Sequence, residues 1–263
     1  MIRVEGLHKH FGGFRAVDGV TLEIAPSSIT GLIGPNGAGK TTLFNVIAGT
    51  VPPTGGHVFM NGENITGLPP HDLFHKGLLR TFQIAHEFAS MSVRENLMLV
   101  PGQQQGERIW NTWIGRHRIA AEEEAIGKKA DDVMEFLTID HLKDERAGNL
   151  SGGQKKLLEL GRTMMVDAQI VFLDEVGAGV NRTLLRTIGD AIQRLNRERS
   201  YTFCMIEHDM DFIGRLCDPV ICMAEGKVLA EGSIDQIKAN DHVIEAYLGT
   251  GLKNRVTKEK SGE

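Results

Sequence analysis

The chain has 263 residues, enough for one large domain, or a domain with a smaller lobe, around a sizeable core. Hydrophobic residues at 41% and charged residues at 24% exclude a disordered chain, and a net charge of −5 lacks the basic excess of a nucleic-acid binder. Cys204, Cys217 and Cys222 form neither a C-x-x-C pair nor an even framework, so reduced, mostly buried thiols are expected.

A run of about 18 apolar residues that could span a membrane is absent, and Met1 to Glu5 lacks a signal peptide's apolar stretch; a cytoplasmic location is expected. In chain order, Ile2 to Leu7 and Val20 to Ile24 read as strands, with the turn Phe11-Gly12-Gly13-Phe14 between them. Ser28 to Ile33 is short, apolar and β-branched, as a buried parallel strand is. It runs into Gly34-Pro35-Asn36-Gly37-Ala38-Gly39-Lys40-Thr41, then Thr42 and a helix to Ala48 that stops at Gly49. A strand, a glycine loop with Lys and Thr, then a helix is the Walker A pattern in its required context. The glycines let backbone N–H groups turn inward around a phosphate chain, and the helix N-terminus adds partial positive charge beneath it. In such a loop Lys40 reaches the β- and γ-phosphates and the Thr41 hydroxyl sits on Mg²⁺. A glycine-rich turn with a stray lysine is the competing reading, and the agreement of every fixed position with both flanks disfavours it.

Gly56 to Met60, Asn61-Gly62 and Glu63 to Ile65 predict a hairpin on a type I′ turn. Mixed antiparallel and parallel sheet is therefore expected through about residue 82. His71 and His75 have a metal-compatible spacing but no third ligand, which favours the exposed face of a short helix. From Ser92 to about Asn149 the character is helical. Ser92 caps a short helix with Glu95 in a capping box, residues 101–106 form a polar loop, and Ala120 to Leu137 is an amphipathic helix. Its polar face is mixed rather than basic, so it packs in a lobe rather than on a membrane.

After Ser151 the spacing predicts a helix to about Met165, a strand from Gln169 to Leu173, a helix from Thr183 to Arg197 and a strand from Tyr201 to Ile206. That alternation implies a parallel sheet covered on both faces. Val220 to Met223 and Lys227 to Ala230 form a closing hairpin, Ser233 and Asn240 cap short helices, and residues 253–263 are a charged, frayed tail. Two of these segments carry chemistry. The strand ending in Asp174-Glu175 brings two carboxylates to the sheet edge where α/β folds place ligands. Asp174 suits the Walker B role on Mg²⁺, and Glu175 can polarise an attacking water. Leu150-Ser151-Gly152-Gly153-Gln154 is a second anion site, a hydroxyl and glycine N–H groups at a helix N-terminus.

Leu-Ser-Gly-Gly-Gln is the signature sequence of the ATP-binding cassette superfamily, and from Phe11 to about Gly249 the chain resembles its transporter ATPases. The resemblance implies an α/β fold within a single domain, residues 1–252: a P-loop NTPase core of mixed parallel sheet with an antiparallel β subdomain (1–83 and about 150–252), and a helical signature lobe (about 84–149). It implies ATP and Mg²⁺ as ligands. A second cassette, this chain or a paralogue, would pair head-to-tail, with Ser151, Gly152, Gly153 and Gln154 of each completing the other's site. Gln83, in Arg80-Thr81-Phe82-Gln83, matches the glutamine that contacts Mg²⁺ and water, and His208, in Glu207-His208-Asp209, the histidine that contacts the γ-phosphate. Phe11 matches the aromatic that stacks on adenine, with an apolar core role as the alternative. Ala178-Gly179-Val180-Asn181 falls where the family lines its dimer interface. One position departs from the pattern: Val176 follows the glutamate where the family has proline, which frees an N–H and loosens the turn that aims Glu175. Hydrolysis is still expected, with its rate open.

The segments Phe11 to Val17, Arg80 to Gln83, Met91 to Leu97 and Glu245 to Gly249 resemble the LivG-type ATPases of branched-chain amino-acid importers. Urea or amide importers and some lipid exporters have similar cassettes. Transmembrane permease subunits are the implied partners, holding the ATPase peripherally on the cytoplasmic face. A ribosome-acting protein would carry two cassettes and a chromosome ATPase a long coiled coil, and neither is present. Glu175 and His208 argue against a module that senses ATP without turnover.

Overall fold

A computed structural model of the chain describes residues 1–80, 87–102 and 116–248. Its elements begin with β1 (Ile2–Phe11), β2 (Phe14–Ile24), β3 (Ile29–Ile33), α1 (Lys40–Ile47), β4 (Gly55–Met60), β5 (Glu63–Asn64), α2 (Pro70–His75) and β6 (Leu78–Arg80). Helices α3 (Val93–Met98), α4 (Arg116–Phe136) and α5 (Gly152–Met165) follow, then β7 (Ile170–Asp174), α6 (Arg182–Arg199) and β8 (Thr202–Ile206). Next come α7 (Met210–Leu216), β9 (Val220–Ala224), β10 (Lys227–Gly232), α8 (Ile234–Ala239) and α9 (Asp241–Leu248).

One unit comprises residues 1–80, 169–175 and 195–263 and holds two sheets. The antiparallel sheet has the order β2-β1-β4-β5, and the second has the order β10-β9-β3-β8-β7-β6. In the second, β9, β3, β8, β7 and β6 are parallel and β10 is an antiparallel edge. Strands β3, β7 and β8 are buried along their whole length. Continuous apolar runs such as Ile170-Val171-Phe172-Leu173 suit strands covered on both faces. Parallel neighbours end on the same edge, so the segments after β3, β7 and β8 emerge side by side. Helix α1 turns Leu43, Phe44, Val46 and Ile47 into the core, and Phe44 meets Phe172 edge to face at 4.7 Å.

Strands β1 and β2 run further than their sequence pattern suggests, up to Phe11 opposite Phe14 across Gly12-Gly13. Irregularities between Val4 and Leu7, Leu7 and His8, and Lys9 and His10 break the alternation that would have revealed them. Helix α7 was not anticipated either; Asp209 starts it by accepting from the N–H groups of Asp211 and Phe212.

The other unit comprises residues 81–168 and 176–194. Here α3, α4 and α5 pack together through Gly161, where an added Cβ would stand 3.0–3.2 Å from Leu137, Leu97 and Val133. Ser92 and Glu95 form the expected capping box. Asn96 is fully buried and satisfied: its Oδ1 accepts from the Phe88 N–H, and its Nδ2 donates to the Phe88 and Ser92 carbonyls. The division differs from the sequence boundaries, because the face of α5 that carries Gly161 is buried on α3 and α4 and takes residues up to 168 into the helical unit. The three cysteines are free and buried, and no described helix is long and apolar enough to cross a membrane.

Candidate nucleotide site

The glycine loop after β3 is shaped by its neighbours. Gly34 and Gly39 have φ of +147° and +96°. A Cβ at position 34 would stand 2.1 Å from the Met223 carbonyl oxygen, and one at position 39 would stand 2.1 Å from that of Ala16. Only glycine passes both points. Gly39 precedes α1 without any side-chain cap, so the N–H groups of the first turn keep no intrahelical acceptor. Lys40 is buried, and its Nζ donates to the carbonyls of Gly34 and Pro35 at 2.6 and 3.0 Å. Burial lowers its pKa, while Glu175 and Asp174 pull in the opposite direction. Asn36, Gly37 and Thr41 are exposed, Thr42 is half-buried and Ala38 is packed away. The loop therefore gathers N–H donors, a cation and a hydroxyl on one short curve, as an anion site requires.

Two carboxylates follow β7. Asp174 is 1% exposed, and its Oδ2 accepts from Arg80 Nη2 at 2.9 Å. Arg80 also donates to Asn45 Oδ1. The other oxygen of Asp174, Oδ1, is buried without a partner. Glu175 adopts φ +51°, and its N–H donates to the Ile206 carbonyl at 2.9 Å. His208 Nε2, from the segment after β8, lies 3.1 Å from Glu175 Oε1. A proline at 176 would push residue 175 toward extended backbone. Valine leaves Glu175 free to take its left-handed conformation, which costs about 1–2 kcal/mol for an L-residue.

The N-terminus of α5 is built differently. Ser151 Oγ donates to Gln154 Oε1 at 2.9 Å and accepts from the Gln154 N–H at 3.4 Å, while the Ser151 N–H donates to the same Oε1. Ser151 and Gly152 are exposed, whereas Gly153 is buried; a Cβ there would meet Leu184 at 1.9 Å. Asn181 caps α6 by accepting from the Leu184 N–H at 2.9 Å.

Phe11 is 51% exposed at the end of β1, and the Lys9 ammonium lies 4.9 Å from its ring centroid. Its ring is open to solvent, so the apolar core role does not hold. Phe11→Ala is expected to weaken ATP binding about 5–100-fold, the worth of one base–aromatic stack. Inorganic triphosphate should bind both proteins alike; an equal loss of both ligands would show that the ring does not read adenine.

Comparisons with known proteins place this geometry. A family model for ABC transporters matches residues 17–178, more than half of the chain. The chain belongs to the ABC transporter family. A second model, for the branched-chain amino acid ATP-binding cassette transporter, matches residues 227–253 of this ABC ATPase. Among curated relatives, a probable branched-chain amino acid transport ATP-binding protein LivG of Archaeoglobus fulgidus is 41% identical over 249 residues, 95% of each chain. The high-affinity LivG of Escherichia coli is 36% identical, covering 95% of this chain and 98% of its own. A crystal structure of a nucleotide-free ATP-binding cassette from an ABC transporter superposes with TM-score 0.82 at 36% identity, covering 95% of this chain and 99% of that one. A cassette in its ADP conformation superposes equally well at 37% identity, covering 95% and 98%.

The structure brings Lys40, Asp174, Glu175 and His208 to one sheet edge, while Gln83 lies outside the described residues. Two contacts of this ATPase escaped sequence reasoning. Arg80 looked like the flank of a motif until the pairing of β6 with β7 set it beside Asp174. Tyr247, on α9, stood out only as part of a resemblance. Burial, with Cys222 close by, pushes its hydroxyl up to about 12, against a hydrogen bond from the Gly34 backbone.

Proposed function

We propose that this ABC ATPase powers an importer of branched-chain amino acids from the cytoplasmic face of a membrane, held there by permease subunits. The observation that carries the solute class is the 41% identity to a LivG protein over 95% of each chain, supported by the match at residues 227–253. Uptake of labelled leucine, isoleucine and valine by cells lacking this chain tests it. Uptake should fall and return with the parent gene but not with Glu175→Gln; undiminished uptake would sink the assignment.

Mg²⁺ suits the residues present, because Asp174 Oδ1 is a buried acceptor without a partner and a hard cation takes oxygen ligands. Thr41 and Asp174 would hold it with Gln83, and bound there it would neutralise charge on the β- and γ-phosphate oxygens. The N–H groups of residues 34 to 42 bind the phosphate chain, and Lys40 exchanges its loop carbonyls for β- and γ-phosphate oxygens. Phe11 stacks on adenine. Glu175 takes a proton from the attacking water, and His208, within reach of the same carboxylate, positions the γ-phosphate. Two cassettes pair head-to-tail. Ser151 of the second turns its hydroxyl from Gln154 toward the γ-phosphate, joined by the N–H groups of Gly152 and Gly153. Gln154 keeps that helix end capped.

Lys40→Ala should weaken ATP binding about 10–100-fold, the worth of a charge-assisted hydrogen bond. Equilibrium binding of a fluorescent ATP analogue reads this, and parental affinity in the variant would remove Lys40 from the phosphate site.

A further inference from the structure

Three side chains of the β1–β2 hairpin have no part in the ATPase site. His8 and His10 stand two apart on β1 and so share a face, and Asp18 on β2 is the cross-strand partner of His8. His8 Nδ1 lies 3.3 Å from Asp18 Oδ1, and the two imidazole centroids are 5.8 Å apart. One ligand atom from each residue falls within 4.8 Å of both others. His8 Nδ1 faces Asp18 without forming a hydrogen bond to it, and His10 Nε2 is buried without a hydrogen-bond partner. Buried polar atoms nearly always have one, so the unsatisfied imidazole nitrogen of His10 beside this pair points to a missing partner.

We infer that His8, His10 and Asp18 form a binding site for a divalent transition-metal ion of the zinc class, with water as the fourth ligand. Bonds of about 2.0–2.2 Å set tetrahedral neighbours about 3.3–3.5 Å apart, which is the His8–Asp18 spacing. The remaining gap closes by rotation of the His10 ring, since His10 is only half-buried. Two imidazoles and one carboxylate select zinc, copper or nickel over Mg²⁺, which separates this site from the oxygen donors at Thr41 and Asp174.

Asp18 is oriented as a ligand. Arg15 and Lys227 each approach Oδ2 at 3.6 Å, which leaves Oδ1 toward the imidazoles. The same two cations repel a metal ion, so micromolar rather than nanomolar affinity is expected. His10 directly precedes Phe11, so an occupied site fixes the strand end that presents the exposed ring.

The test uses the full chain without nucleotide, stripped of metal and kept in excess Mg²⁺, titrated with Zn²⁺ against a chromophoric chelator. The parent should take up one Zn²⁺ at least ten times more tightly than His10→Ala or His8→Gln, while His71→Ala, at an exposed histidine of α2, should match the parent. Co²⁺ should give the parent, but not His10→Ala, the visible bands of a four-coordinate ion. Zn²⁺ should raise the melting temperature of the parent and of His71→Ala but not of His10→Ala or His8→Gln, and equal melting of all variants in chelator confirms that they fold. Equal Zn²⁺ affinity in the parent and His10→Ala, or an equal loss in His71→Ala, would overturn the site.

Discussion

Glu175→Gln is expected to bind ATP like the parent and to lose about 10²–10⁴-fold in turnover, the usual share of a general base. The substitution keeps the shape of the side chain. It also keeps Oε1, the atom that His208 approaches at 3.1 Å, and the backbone bond from residue 175 to the Ile206 carbonyl. The charge and the ability to accept a proton are removed while the shape stays, so the loss should fall on kcat and leave the nucleotide Kd unchanged. Steady-state phosphate release against protein concentration is the measurement. Parental activity should rise more steeply than linearly as two cassettes associate, and the variant should accumulate as an ATP-bound dimer in light scattering. Unchanged turnover would take Glu175 out of the reaction. A variant that lost ATP binding as well would instead mean that the carboxylate holds the loop through its attraction to Lys40.

The phosphate loop was legible because its constraints are local. Gly34, Gly37 and Gly39 carry backbone angles that the spacing of a Walker A motif already implies, and the apolar run before them could only be a covered strand. Ser92 announced a helix start through Glu95 three residues on and Ser233 as a cap, and Ser92, Ser151 and Ser233 each form a capping box. What the sequence hid is set by pairing. Arg80 is 94 positions from Asp174, and only the parallel register of β6 on β7 brings them together. Likewise His8 and His10 lay beyond the strand expected to end at Leu7, and the cross-strand register of β1 on β2 sets them beside Asp18. Glu175 shows a third limit: its positive φ of +51° and the bond from its N–H to the Ile206 carbonyl come from the meeting of β7 with β8, which the Val176 that follows it does not announce.

Arg80→Met is expected to cost about 3–5 kcal/mol of stability, because it leaves the buried Asp174 carboxylate without its guanidinium partner. The Arg80 and Asp174 side chains are 9% and 1% exposed, so solvent screens the pair little. Asp174 gives one oxygen to Arg80 and keeps the other unpartnered. Without the guanidinium both oxygens of a buried carboxylate would lack donors. Urea unfolding should show the midpoint shift at unchanged slope. Arg80→Lys should recover only part of the loss, since a single ammonium cannot span Asp174 and Asn45 as the planar fork does. The double variant Arg80→Met with Asp174→Asn should be more stable than the two single losses add up to, which isolates the pair from simple loss of packing. An Arg80→Met protein within about 0.5 kcal/mol of the parent would mean that Asp174 is hydrated or protonated in solution. The buried pair would then have no part in setting which of its oxygens faces the phosphates. If the cost is as large as expected, the pair with Arg80 is what holds the Asp174 carboxylate in place, and it ties the first residue of the Gln83 segment to the end of β7.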